Sequence, residues 1–125
     1  MLCPCQSGQW YNECCRPFHQ GKAAPTAELL MRSRYSAYVL GDAAYLHRTW
    51  SKHTRPTLKS LMQSHSIQWL GLTIECTEQG GSDDQEGIVE FTARFSENHQ
   101  EQALHEISRF VRENGRWVYL AGVHQ

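Results

Sequence analysis

Four cysteines fall within the first fifteen residues, at positions 3, 5, 14 and 15, in the pattern C-x-C-x8-C-C. No other stretch restricts the fold as much, because four thiols this close call for one shared partner. A tetrahedral Zn²⁺ accepts four thiolates at about 2.3 Å. Cys3 and Cys5 can aim at one point only if the chain between them bends, and Pro4 fixes φ there. Ser7-Gly8 then allows a reversal, because glycine takes positive φ without a Cβ clash. The returning chain delivers Cys14 and Cys15 from the end of a short helical turn. A Zn²⁺ in four thiolates carries a formal charge of about −2. Arg16 and Lys22 stand close enough in sequence to balance part of it.

Other uses of the cluster fit less well. Adjacent cysteines seldom form a disulfide with each other, and no secretory segment precedes them, so the expected compartment is the reducing cytoplasm. The C-x-x-C spacing of a redox pair is absent. His19 is an alternative fourth ligand in place of Cys15. A site closed by four protein ligands keeps no open position for water, so the expected Zn²⁺ site is structural. The fifth cysteine, Cys76, stands apart in an apolar run.

The segment from Met1 to His19, MLCPCQSGQWYNECCRPFH, resembles the SEC-C motif, the zinc hook at the carboxyl end of the SecA translocation ATPase. The remainder resembles the YchJ family of bacterial proteins. That likeness is carried by LMRSRYSAY at Leu30–Tyr38, Thr49-Trp50, WLGL at Trp69–Leu72, FTARF at Phe91–Phe95, Ser108–Phe110 and ENGRW at Glu113–Trp117. The resemblance implies a hook over residues 1–22 and, over 23–125, a nuclear transport factor 2-like domain, a cone of helices on a curved antiparallel sheet. SEC-C hooks of the SecA family contact the SecB chaperone and the ribosome, so it also implies a protein or ribosomal partner. One departure matters. Where the usual motif places lysines after Ser-Gly, this chain has Gln9, Trp10, Tyr11, Asn12 and Glu13. Without basic residues to attract acidic partners or RNA phosphate, a weaker or different contact is expected. Trp10 and Tyr11 remain as aromatic anchors for a partner.

Periodicity gives an α+β order independently of that likeness. Thr26 is a suitable N-cap for a helix reaching about Leu40, with Glu28 favourably placed in its first turn. Met31, Tyr35, Tyr38 and Val39 form its apolar stripe. Gly41 ends it and Asp42 caps a second helix, about Ala43 to Trp50. Pro56 opens a third, reaching about Ser64. The period then falls to two. Ile67 to Thr77 reads as a strand with Leu70, Leu72, Ile74 and Cys76 on one face and Trp69 on the other. A second strand follows Gly87, with Val89, Phe91, Ala93 and Phe95 on one face. A turn near Asn98 leads to a third, about Gln102 to Arg112. Asn114-Gly115 is a two-residue hairpin signal joining it to a last strand, Arg116 to Ala121. Helices followed by a meander is an α+β arrangement.

At 125 residues the chain is one domain in size. Twelve Lys and Arg against thirteen Asp and Glu give no field to recruit nucleic acid or an anionic membrane. No apolar run approaches the ~20 residues that span a bilayer. Tyr35, Tyr38, Trp50, Trp69, His105 and Arg109 are the residues expected to line a pocket between helices and sheet. Glu106 is expected to pair with Arg94 across the sheet. No phosphate loop, nucleophile elbow or second metal motif is present, and no catalytic residue is assigned. Three functions remain from the sequence. The first is a non-enzymatic accessory protein that docks through its hook. The second is a small-molecule binder or enzyme using the pocket. In the third, the hook only staples the N-terminus to the domain. A homodimer through the open sheet face is also expected to be compatible with the pattern.

Overall fold

The computed structural model describes residues 1–63 and 67–124. The amino-terminal hook contains a 3-10 turn, Tyr11–Glu13, and a one-turn helix α1, Arg16–His19. Three helices follow: α2, Ala27–Leu40, α3, Ala43–Arg48, and α4, Leu58–Met62. Four strands complete the chain: β1, Ile67–Gln79, β2, Glu86–Glu97, β3, Gln100–Glu113, and β4, Arg116–His124. They form one antiparallel sheet in the order β1-β2-β3-β4, each strand beside its sequence neighbour. The α+β meander expected from periodicity is present.

Polar caps mark the ends of the helices. The Thr26 hydroxyl accepts the Leu29 amide at 3.1 Å at the start of α2. Gly41 ends α2 in the left-handed region at φ 74°, and the Asp42 amide reaches back to the Ala37 carbonyl. Asp42 then caps α3 by accepting the Tyr45 amide at 3.1 Å. Helix α3 stops at Arg48, short of the expected Trp50. The reason is a change of partner. The Thr49 carbonyl accepts from Tyr119 of β4, and Trp50 forms a parallel bridge with Tyr119. At α4, Thr57 is the cap and accepts the Ser60 amide, so Pro56 lies outside the helix it was expected to open. The expected end at Ser64 lies outside the described residues.

The apolar stripe predicted on α2 is half right. Met31 and Tyr35 are buried, whereas Tyr38 and Val39 are each 39% exposed. Ser33, Arg34 and Ser36 are buried instead. Helix α2 is covered on two sides: the sheet takes the apolar side, and the hook takes a small polar side that hydrophobic periodicity does not report.

Strand β1 departs from its expected alternation because of two register shifts, one between Trp69 and Gly71 and one between Ile74 and Cys76. Each extra residue turns the next side chain to the other face. Trp69 therefore pairs with Phe95, Leu72 with Ala93 and Ile74 with Phe91, and all three β1 residues face the helices. Cys76 is turned out and exposed opposite Glu90. Leu70 is left at the first shift, where its carbonyl accepts from Gln6. On β2 the expected face of Val89, Phe91 and Ala93 is buried. Asn114 and Gly115, at φ 53° and 80°, form the two-residue turn into β4.

The core runs through the hook without a break. Cys3, Cys5, Cys14, Cys15 and Phe18 belong to the same cluster of buried side chains as Leu30, Tyr35, Val89, Phe91 and Phe110. Among the described residues, no helix is long and apolar enough to cross a membrane.

Candidate functional site

The hook is a short closed loop. Its two ends are joined by the Cys3 amide donating to the Gln9 carbonyl at 2.8 Å and by a bridge between Leu2 and Trp10. The reversal uses Gln6 at φ 64° and Gly8 at φ 87°. Position 8 requires the glycine, since L side chains rarely adopt that backbone. The 3-10 turn then returns the chain, and Cys14 and Cys15 follow it directly.

This path brings the sulfurs of Cys3, Cys5, Cys14 and Cys15 within 4.8 Å of one another, with all four residues buried. Cys5 and Cys14 are 3.7 Å apart and Cys14 and Cys15 3.9 Å. A tetrahedral ion with Zn–S bonds of about 2.3 Å needs its ligands about 3.8 Å apart, so the spacing and the donor set both fit Zn²⁺. Without a cation the same group of thiols is electrostatically frustrated. Hydrogen bonding from Cys15, assisted by Ser7 and Cys3, lowers the Cys5 thiol to about 4. Burial pushes Cys14 up to about 11, and the hydrogen bond to Cys5, with burial, raises Cys15 further still. One thiolate is tolerated there and a second is opposed. A divalent ion removes that opposition, because thiolates are its ligands.

The surroundings secure the cluster to the body. The Ser36 hydroxyl, on α2, lies 3.5 Å from Cys3 Sγ and 3.4 Å from Cys15 Sγ. The Ser7 hydroxyl lies 3.2 Å from Cys14 Sγ. Arg32 Nη1 donates to the Cys5 carbonyl at 3.0 Å, bringing a cation to the cluster. The side-chain amide of Gln6 reaches β1, donating to the Leu70 carbonyl and accepting from the Leu72 amide. Arg16 and Lys22, the cations expected to balance the charge, are engaged elsewhere. Arg16 bonds Asn12, and Lys22 stands over the Phe18 ring.

His19 is not a ligand in this arrangement, because both ring nitrogens are taken. Nε2 lies 2.8 Å from the Ser33 carbonyl, which can only accept, so Nε2 carries the proton. Nδ1 of the neutral ring then accepts from the Tyr11 hydroxyl at 2.7 Å. The ring packs edge-on against Tyr45, with centroids 4.6 Å apart. Tyr11 is thereby tied into the protein. Trp10 is 57% exposed, beside Leu2 at 62%.

A second feature is a cavity of about 400 Å³ between α2 and the sheet. Tyr35, Tyr38, Trp50 and Trp69 line it, as expected. His105 and Arg109 do not. They lie on the outer face of β3, where His105 Nε2 meets Glu90 at 2.7 Å and Arg109 is exposed. Glu106 and Ser108 occupy the inner face in their place, with Phe110 next in the alternation. The parity of Phe110, fully buried, is the sequence signal that would have picked the inner face. Glu106 accordingly does not pair with Arg94, which instead stands 3.9 Å from Glu101. The Glu106 carboxylate accepts from Tyr119 at 3.1 Å and from Ser108, and lies 3.2 Å from His124. Gly122, opposite Ser108 on β4, leaves it room, since a Cβ there would strike the carboxylate. Arg34, also in the cavity wall, was not singled out by sequence reasoning, because a charged residue on a helix normally reads as solvent-facing.

Comparison with known proteins agrees with these features. Residues 26–122 match the family model described as YchJ, middle NTF2-like domain. A UPF0225 protein of Chromobacterium violaceum is 44% identical over 124 residues, covering 97% of this chain and 91% of that protein. One from Streptomyces coelicolor is 47% identical over 121 residues, covering 96% and 93%. Among solved structures, the chain resembles a SEC-C motif containing protein from Rhodopseudomonas palustris at a TM-score of 0.87, with 34% identity over 98% of both chains. It also resembles one from Psychrobacter arcticus at a TM-score of 0.81 and 31% identity, covering 95% of this chain and 80% of that one.

Proposed function

Because the chain belongs to the YchJ family, with an N-terminal SEC-C hook and a middle NTF2-like domain, we propose that it is a non-catalytic accessory protein whose hook, held by Zn²⁺, docks on a protein partner. The ligands are Cys3, Cys5, Cys14 and Cys15. The observation that carries this reading is the contrast within the hook. Its four sulfurs are buried, while Met1, Leu2 and Trp10 form an apolar surface, 68%, 62% and 57% exposed, on the same loop. A large aromatic on a metal-closed loop is a suitable anchor, since the backbone that carries it is already fixed and adds little ordering cost on binding. Tyr11 braces that anchor through His19. The ion itself is structural. Four protein sulfurs complete its shell, and Ser36, Gln6 and Arg32 fasten the shell to α2 and β1.

The test is a pull-down with the full chain against Trp10→Ala, using extract and, separately, purified ribosomes. Trp10→Ala should lose a partner that wild type retains, with its melting temperature unchanged. Equal recovery of every partner by both proteins would refute docking through Trp10. Retention of ribosomes by wild type alone would identify the partner as ribosomal. Stripping the metal should also lower the melting temperature, and an unchanged value would remove the fastening role.

A further inference from the structure

The cavity between α2 and the sheet holds a cation with no ion-pair partner among the described residues. Arg34 is 3% exposed. Its two hydrogen bonds both leave from Nη1, to the Leu46 carbonyl at 2.9 Å and the Thr49 hydroxyl at 2.8 Å. Nε and Nη2 have no protein acceptor, and no carboxylate lies within ion-pair distance, among the described residues. The guanidinium stands beside an edge-on pair of rings, 4.9 Å from the centroids of both Trp50 and Tyr119, which are 5.1 Å from each other. These contacts offset part of the burial cost of a cation, which is otherwise large. Trp50 adds a second unmet donor. Its Nε1–H is buried and has no acceptor among the described residues. A buried donor left unpaired is costly, and a ligand acceptor would remove that cost.

We propose that this cavity binds a small aromatic or aliphatic carboxylate, with its charge on Arg34 and its apolar body against Tyr35, Tyr38 and Trp69. A guanidinium fork matches a carboxylate with two parallel hydrogen bonds. A monoanion suits the site better than a phosphate dianion, because the remaining wall is mostly apolar. The Glu106 carboxylate in the same cavity favours the Arg34 cation through space but is not within ion-pair distance of it. Its oxygens already accept from Tyr119 and Ser108 and face His124. The volume, about 400 Å³, lies in the range of small-ligand pockets. This site is independent of the hook, so its test and the docking test fail separately.

The experiment follows the four tryptophan indole N–H signals of the full chain by heteronuclear NMR, with the Trp50 signal assigned from Trp50→Phe. The probes are 4-phenylbutyrate, indole-3-propionate and octanoate, each beside its matched alcohol. At least one carboxylate should shift the Trp50 signal saturably and bind about tenfold more tightly than its alcohol. Arg34→Gln should erase that tenfold preference. Because Arg34 also ties α2 to α3, Leu104→Trp supplies a second variant that fills the cavity while leaving Arg34 in place. It should abolish binding of acid and alcohol alike. The proposal is overturned by any of three results: no saturable shift with any carboxylate, equal binding of acids and alcohols to wild type, or binding that persists in Leu104→Trp.

Discussion

The Ser36 hydroxyl stands between two of the four sulfurs, 3.5 Å from Cys3 and 3.4 Å from Cys15. A thiolate only accepts, so with the ion in place Ser36 donates to one of them and holds the cluster on α2. Ser36→Ala should therefore weaken zinc retention by about tenfold, in line with the usual effect of losing such a supporting contact. Competition with a chromogenic chelator measures it. Unchanged retention would mean the cluster needs nothing from the helix.

His19 should prove a brace and not a ligand. His19→Phe keeps a ring against Tyr45 but removes the bonds to Ser33 and Tyr11. We expect a loss of about 1–3 kcal/mol in urea unfolding, from the two part-buried hydrogen bonds removed. The zinc stoichiometry should stay at that of wild type. A halved metal content would place His19 in the coordination shell.

The two shifts in β1 can be tested by a pair of substitutions. Trp69 packs on Tyr35, Tyr38 and Phe95, with ring centroids 5.9, 5.8 and 5.6 Å away. Trp69→Ala should cost about 3 kcal/mol. Cys76 is exposed, and Cys76→Ala should stay within about 0.5 kcal/mol of wild type. The reverse order, with Cys76→Ala costlier than Trp69→Ala, would support the unbroken alternation read from the sequence.

Gly122→Ala should be costly for a residue near the chain end. Its Cβ would strike the Glu106 carboxylate, which Tyr119 and Ser108 hold in place. A destabilisation of about 1–3 kcal/mol by urea unfolding is expected, the usual range for overpacking. A neutral result would show that the carboxylate can move aside freely.

Much of the architecture could be read residue by residue. Thr26, Gly41 and Asp42 bound the helices because each supplies a group that the helix end needs. Asn114 and Gly115 define a turn because both tolerate positive φ. The cysteine cluster was legible too, since its four sulfurs come from one local segment. What escaped was set by contacts between distant segments. The shifts in β1 arise where it pairs with β2 and receives Gln6. The buried serines and Arg34 of α2 depend on the hook and on α3. The inner face of β3 carries Glu106 and Ser108, because Phe110 in the core sets its parity, so His105 and Arg109, expected in the cavity, face outward.

Metal analysis of freshly purified chain tests the central claim most directly. The account expects one zinc per chain, with only Cys76 reacting with a thiol reagent under native conditions. A chain free of metal, with all five thiols titrating while it remains folded, would contradict it.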